Sequence, residues 1–276
     1  MYTLDGLPLN DPTGRWYLHD TTGLRILPAR MASGASIPGM DGVMPSLRST
    51  FEPGALSVVI SVRRPTHDQM MGGLELLFGV LGQRHRLLPL RHDYGNGQIR
   101  EAMVEVLSDV TPDRLTQELS RLPVMFRVPS AFWRDTATVD AGAGINLTSA
   151  TTTLAQLAGS TGPIPDALIQ VRGAFTQATL TDPVSGDSIT ISGGVTGTEY
   201  VVIDTANWTA RKQTSNTWST TGGTNWINNV VSNRGSGPMM SLNPDFSTGA
   251  GRVQLTTIGT GTASAQATVR AKRSFL

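Results

Sequence analysis

Residues 55–82 read ALSVVISVRRPTHDQMMGGLELLFGVLG, and the hydrophobic period changes inside this stretch. Up to Arg63 it is two. Leu56, Val58, Ile60 and Val62 point one way, and Ser57, Ser61 and Arg63 point the other, which is the signature of a strand. Beyond Pro65 the period is helical. Thr66 is a suitable N-cap, Met70, Met71, Leu74, Leu77, Phe78 and Leu81 share one face, and Gly82 is a stop. The spacing therefore predicts a strand followed by a helix over about 66–81. Gly72, Gly73 and Gly79 each weaken that helix by roughly 1 kcal/mol relative to Ala, so packing must hold it, and the glycines allow close approach to a sheet.

Outward from this stretch the chain stays mostly β. RLLPL and QIREAMVEVL read as further strands. TPDRLTQELSRL is compatible equally with a helix opened by Thr111-Pro112 and with a hairpin leading into the strand PVMFRV. VPSAFWRD, residues 128–135, closes this part with aromatics. After about residue 136 charges thin out and Thr, Ser, Gly, Asn and Ala dominate. The shift, at Ala137-Thr-Val-Asp-Ala-Gly-Ala-Gly144, sets a domain boundary with parts 1–136 and 137–276. The second part alternates in short runs: ALIQVRGA, DSITIS, EYVVID, RVQLTTI and AQATVRAK. Turn signals such as Asp182-Pro-Val-Ser-Gly-Asp187 separate them, a spacing that suggests a sandwich or jelly roll.

Composition narrows the function. The 276 residues carry a formal net charge of +1, which argues against a protein that coats nucleic acid or an anionic membrane. Basic residues are nearly all Arg, with Lys only at 212 and 272. There is no cysteine, so disulfides, thiolate metal sites and a Cys nucleophile are excluded. The N-terminal MYTLDG lacks the basic start of a signal peptide, and the longest apolar run, Ala55–Val62, is too short to span a bilayer.

Catalytic constellations are absent from the sequence. No Gly-x-Ser-x-Gly or Ser-x-x-Lys occurs, and His85 and His92-Asp93 match no zinc spacing. The carboxylate pairs Glu101/Glu105 and Asp182/Asp187 are of a kind any chain of this size contains. Neither a cofactor nor a metal is expected. One aromatic feature remains: WTARKQTSNTWSTTGGTNW, residues 208–226, holds three of the five tryptophans. Trp208, Trp218 and Trp226 either stack on a sugar or pack as structural rings beside strands and a polar loop. Packing is the commoner reason for an aromatic, so the stretch is read first as strand, loop and strand, with sugar contact as the alternative.

The ordered set of elements resembles the distal tail proteins of long-tailed (siphovirus-type) bacteriophages. The resemblance is carried by the strand into helix 66–81, by VMFRVPSAFWRD, by GPIPDALIQVRGAFTQATLTD with its Gly162-Pro-x-Pro165 opening, by EYVVIDTANWTARK and SLNPDFSTGAGRVQL, and by the closing AQATVRAKRSFL. Two departures stand out: Gly251-Arg252 where Gly-Asn is common, and a long 205–245 region. The resemblance implies a mainly β chain with a small α component. An N-terminal β-barrel-like α+β domain would form a hexameric ring, and a C-terminal galectin-like β-sandwich would project outward. It also implies a place at the tail tip of the virion, between the tail tube protein and the baseplate hub or tail fibre, with docking of receptor-binding proteins. DNA would pass through the lumen without specific binding, and no membrane or enzymatic activity is involved. On this reading Arg63 and Arg64 are candidates for inter-subunit ion pairs, with a solvated strand end as the alternative.

Overall fold

The computed structural model describes residues 1–20, 27–29, 51–83, 85–107, 109–147, 150–235, 237–261 and 265–276. The chain divides into two compact units, Met1–Arg134 and Asp135–Phe275.

The first unit contains β1 (Tyr2–Leu4), β2 (Leu7–Pro8), β3 (Trp16–Asp20), β4 (Gly54–Arg63), α1 (His67–Leu81), β5 (Leu88–Asp93), β6 (Ile99–Val106), β7 (Asp113–Arg114) and β8 (Leu119–Val128), and β9 (Trp133–Asp135) straddles the division. Its strands run in the order β2-β1-β5-β6-β8-β4-β3. The path curls back on itself. Its two end strands, β2 and β3, are joined by a short turn, where the Trp16 indole N–H donates to the Pro8 carbonyl at 2.9 Å and the Leu18 amide to Asn10 Oδ1 at 2.8 Å. The result is barrel-like.

Strand β4 pairs with β8 over its whole length, from Gly54↔Val128 to Arg63↔Leu119. Leu56, Val58, Ile60 and Val62 are buried on the inner face as the alternation requires, and Ala55, Ser57 and Arg63 are exposed on the outer one. Helix α1 covers the inner face with Met70, Gly73, Leu74, Leu77 and Leu81. The close approach expected of the glycines occurs at one of them: a Cβ on Gly73 would stand 3.1 Å from Val62 Cγ1, whereas Gly72 and Gly79 have open space where a Cβ would go. Thr66 caps the start, its hydroxyl accepting from the Gln69 amide. Gly82 ends the helix in a right-handed conformation. It is needed for room, because a Cβ there would stand 2.8 Å from the Phe78 carbonyl oxygen. The 111–122 region is the hairpin, with Asp113↔Arg121 and Arg114↔Ser120 in register.

The second unit is built from β10 (Val139–Asn146), β11 (Ala150–Thr153), β12 (Leu168–Arg172), β13 (Phe175–Thr181), β14 (Ser188–Ile191), β15 (Tyr200–Asp204), β16 (Thr209–Gln213), β17 (Thr224–Asn225), β18 (Val230–Ser232), β19 (Pro244–Asp245), β20 (Arg252–Gly261), β21 (Gln266–Ala271) and β22 (Ser274–Phe275). One sheet runs β10-β21-β12-β15-β16-β17 and the other β11-β20-β13-β14-β18. Alternate residues of both enter one core, including Ile169, Val171, Val201 and Ile203 from the first and Ala178, Leu180, Ile189, Ile191, Val253 and Leu255 from the second. This is a β-sandwich. The Ala/Gly stretch read as the boundary is itself strand: β10 pairs with β21 around an irregularity between Ala141 and Ile145, where Gly142 and Gly144 take positive φ.

The outer face of the second sheet is a threonine array, joined across strands by Thr151–Thr256 (2.7 Å), Thr176–Thr260 (2.6 Å) and Thr179–Thr190 (3.0 Å). Buried carboxylates are satisfied locally. Asp182 accepts from the Ser185 amide and hydroxyl and from Asn243, and Asp187 pairs with Arg234 at 2.9 Å.

Gly251 explains the absence of a side chain ahead of β20, because an added Cβ would overlap the Ser160 carbonyl oxygen. Gly251→Ala is expected to destabilise the second unit by about 2–4 kcal/mol. Gly79→Ala, with open space around the new methyl, should instead stabilise the first unit by about 1 kcal/mol. Denaturant unfolding of the two variants checks both signs.

Candidate functional site

The 208–226 stretch forms the edge of the six-stranded sheet and a strap across its outer face. Asp204 turns the chain from β15 into β16, its carboxylate accepting from the amides of Ala206 (3.1 Å) and Asn207 (3.0 Å) and from Asn207 Nδ2 (2.8 Å). Trp208 ends that turn with a φ of 53°. The residue is 40% exposed and its indole N–H donates to the Gly237 carbonyl at 2.6 Å. Strands β16 and β17 pair through Arg211↔Asn225 and Lys212↔Thr224, leaving residues 214–223 as the connecting loop.

That loop is held down by side chains of the sheet. Gln170 on β12 donates to the Thr217 carbonyl at 3.1 Å, and Gln213 donates to the same oxygen. Arg211 Nε donates to the Thr220 carbonyl at 3.3 Å. Gln170, Val202 and Arg211 stand side by side in register across β12, β15 and β16, on the face turned away from the core. The strap accounts for the burial of Gln170 and Val202 on that outward face.

The three tryptophans have separate neighbours. Trp218 lies on the outer face under the Arg270 guanidinium, 4.4 Å from carbon to ring centre. Arg270 also forms a two-pronged pair with Asp140, at 2.5 and 2.8 Å. Trp226 is on the opposite side of the sheet, packed against the sandwich core with the Lys212 ammonium 4.1 Å from its ring centre. Its indole nitrogen is buried and has no acceptor among the described residues. Lys212 in turn pairs with Glu199 at 3.0 Å. Trp208, at the turn, is the most exposed of the three. The structure thus brings no two of these rings onto one platform.

The candidates in the first unit also separate. Arg63 is the last residue of β4 and points outward, exposed, with no carboxylate partner among the described residues. Arg64, the next residue, is half-buried; its backbone N–H donates to the Glu118 carbonyl, and its Nε is buried without an acceptor. Strand β4 ends at Arg63, so Arg64 already belongs to the connection into α1. His92 lies stacked on Tyr2 and 4.0 Å from the Tyr94 ring centre, and the carboxylate pairs are occupied: Glu101 by Arg91 and Glu105 by Arg127.

Sequence reasoning missed Gln170, Arg211, Arg270 and Asp140 as the tethers of the strap. Nothing in their local pattern marks them, since each lies on a different strand.

Two expectations follow. Trp226→Ala should cost about 3 kcal/mol, because the ring packs on the core. Trp218→Ala should cost about 1 kcal/mol and speed amide exchange over 214–223. Chemical denaturation and hydrogen-exchange mass spectrometry separate the two. The hydrogen bonds and charge of Arg270 hold the Asp140 carboxyl below its ordinary value of 3.8. Its stabilising effect is therefore complete above the unfolded value and is lost as pH falls through the lowered one. Asp140→Asn should flatten the acid side of the melting-temperature profile in that window and leave the neutral side without a pH-dependent change.

No protein-family model and no curated protein matches the chain. Among solved structures, SPP1 Dit (gp 19.1), described as a paradigm of the hub adsorption apparatus in Gram-positive-infecting phages, matches over 100% of both chains with a TM-score of 0.63 and 13% identity. Two structures of the phage P2 baseplate in its activated conformation, with Ca and with Sr, match over 94% and 99% of this chain and 91% and 97% of theirs, at 10% identity and TM-scores of 0.38 and 0.40. By the first of these likenesses the chain has the fold of SPP1 Dit from end to end.

Proposed function

We propose that the chain is a structural subunit of the tail tip of a long-tailed bacteriophage. It assembles as a homo-hexameric ring between the tail tube and the baseplate hub or fibre, and offers docking sites to receptor-binding proteins. The observation that carries this reading is the end-to-end fold likeness to SPP1 Dit, a hub protein, at a TM-score of 0.63. Both units take part in the likeness, so it is not a match of one common sandwich.

The division of labour proposed is that the first unit forms the ring and the second, read as galectin-like, projects from it. The near-neutral net charge suits a lumen through which DNA passes without being held. We infer no catalytic role, because the candidate carboxylates are engaged in ion pairs and turn hydrogen bonds. The carbohydrate-binding alternative gains little from the geometry, since Trp218 and Trp226 lie on opposite faces of one sheet and each already carries a cation on its ring.

Light scattering after size exclusion should give about six times the 29.4 kDa subunit mass, and negative-stain images should show a sixfold annulus. Antibody labelling of virions should mark the tail tip. A monomer at all concentrations together with unlabelled tail tips would overturn the reading.

A further inference from the structure

Helix α1 lies on the inner face of β4, and among the described residues the outer face of β3, β4 and β8 carries no helix. Two surfaces are therefore exposed on opposite sides of the same strands. The solvent side of α1 presents Asp68, Met71, Gly72, Glu75, Leu76 and Gly79. Met71 and Leu76 are large apolar side chains more than 40% exposed. Gly72 and Gly79 are two turns apart, and unlike at Gly73 an added Cβ would meet nothing among the described residues. They leave the helix backbone open to close approach. Neither Asp68 nor Glu75 has an ion-pair partner among the described residues.

The outer sheet face has the opposite charge. It presents Tyr17 and Met125, both large and exposed, with Arg63 and Arg121 between and beside them. Among the described residues Arg63 has no ion-pair partner, and Arg121 Nε is buried with no acceptor. Asp113 stands opposite Arg121 in register without closing an ion pair. Within one copy the acidic helix face and the arginine face cannot meet, because β4 lies between them. Two copies can bring them together.

We propose that α1 of one copy docks across the outer face of β3-β4-β8 of the next, with Asp68 and Glu75 facing Arg63 and Arg121. The contact is heterologous: each copy offers one face of each kind, so the contact repeats head to tail and can close into a ring. Met71 and Leu76 cover the apolar side chains of the sheet, and Gly72 and Gly79 set the distance. The inference rests on the ring reading above and names the surfaces that make it.

The test uses charge exchange in the full chain. One variant carries Asp68→Arg and Glu75→Arg, and the other Arg63→Glu and Arg121→Glu. Each alone should reduce the assembled fraction at least tenfold by light scattering, with an unchanged melting curve as the folding control. Mixed one to one, the two should reassemble, because helix and sheet faces then alternate in sign around the ring. Should Arg121→Glu fail to fold, Arg63→Glu alone takes its place. A third variant, Gly72→Leu with Gly79→Leu, should also fold and should lose the ring. Wild-type rings with every variant still assembled overturn this contact and leave the tail-tip reading standing. Loss in both charge variants without recovery on mixing also overturns it. A wild-type chain that never assembles removes the ring and the contact together.

Discussion

The first unit depends on how closely α1 lies on β4. A missing side chain at Gly73 lets Val62 come to where a Cβ would find it at 3.1 Å, and the apolar stripe Met70-Leu74-Leu77-Leu81 then seats on the strand face. That contact commits one face of β4 to the interior. Everything on the other face, Arg63 included, is left pointing away from it. The curl of the sheet follows from the same commitment: the inner face is apolar on strand after strand, and bringing β2 and β3 together encloses it, with Trp16 buried at the seam.

The second unit solves the same problem with a second sheet rather than a helix. Its two sheets share one core, and their outer faces are finished differently. One is a threonine array whose hydroxyls bond to one another across strands. The other is polar and covered by the chain itself, through the strap at 214–223. The strap's carbonyls take the hydrogen bonds that Gln170, Arg211 and Gln213 would otherwise offer to solvent or a ligand. The tryptophans read most naturally as parts of that arrangement: one pins the strap to Arg270, one seals the core edge under Lys212, and one braces a turn against Gly237.

A subunit of the proposed kind needs surfaces rather than a cavity lined with reactive groups. Glu101 and Glu105 are engaged by arginines, and four exposed large apolar side chains of the first unit, Met71, Leu76, Tyr17 and Met125, lie on the helix and on the sheet face opposite it. The fold likeness to SPP1 Dit spans both units.

Much of this was legible in the chain. The change of period at Pro65 determined β4 and α1, with Thr66 and Gly82 as its limits, and the alternating runs determined most strands of the sandwich, because side-chain direction repeats every two residues in a strand and every 3.6 in a helix. Other features were not. The hairpin at 113–120 and the strand at 139–146 are decided by neighbours, one by pairing with β8 and the other by pairing with β21, and pairing partners are invisible in a local pattern. The fate of the Trp-rich stretch was likewise tertiary: Gln170, Arg211 and Arg270 lie on three strands, and only folding places them under one loop. Alternation by itself determined that Arg63 ends β4 on its outer face. The buried Nε of Arg64 and the exposure of Arg63 came from what packs around each, which no stretch of sequence states.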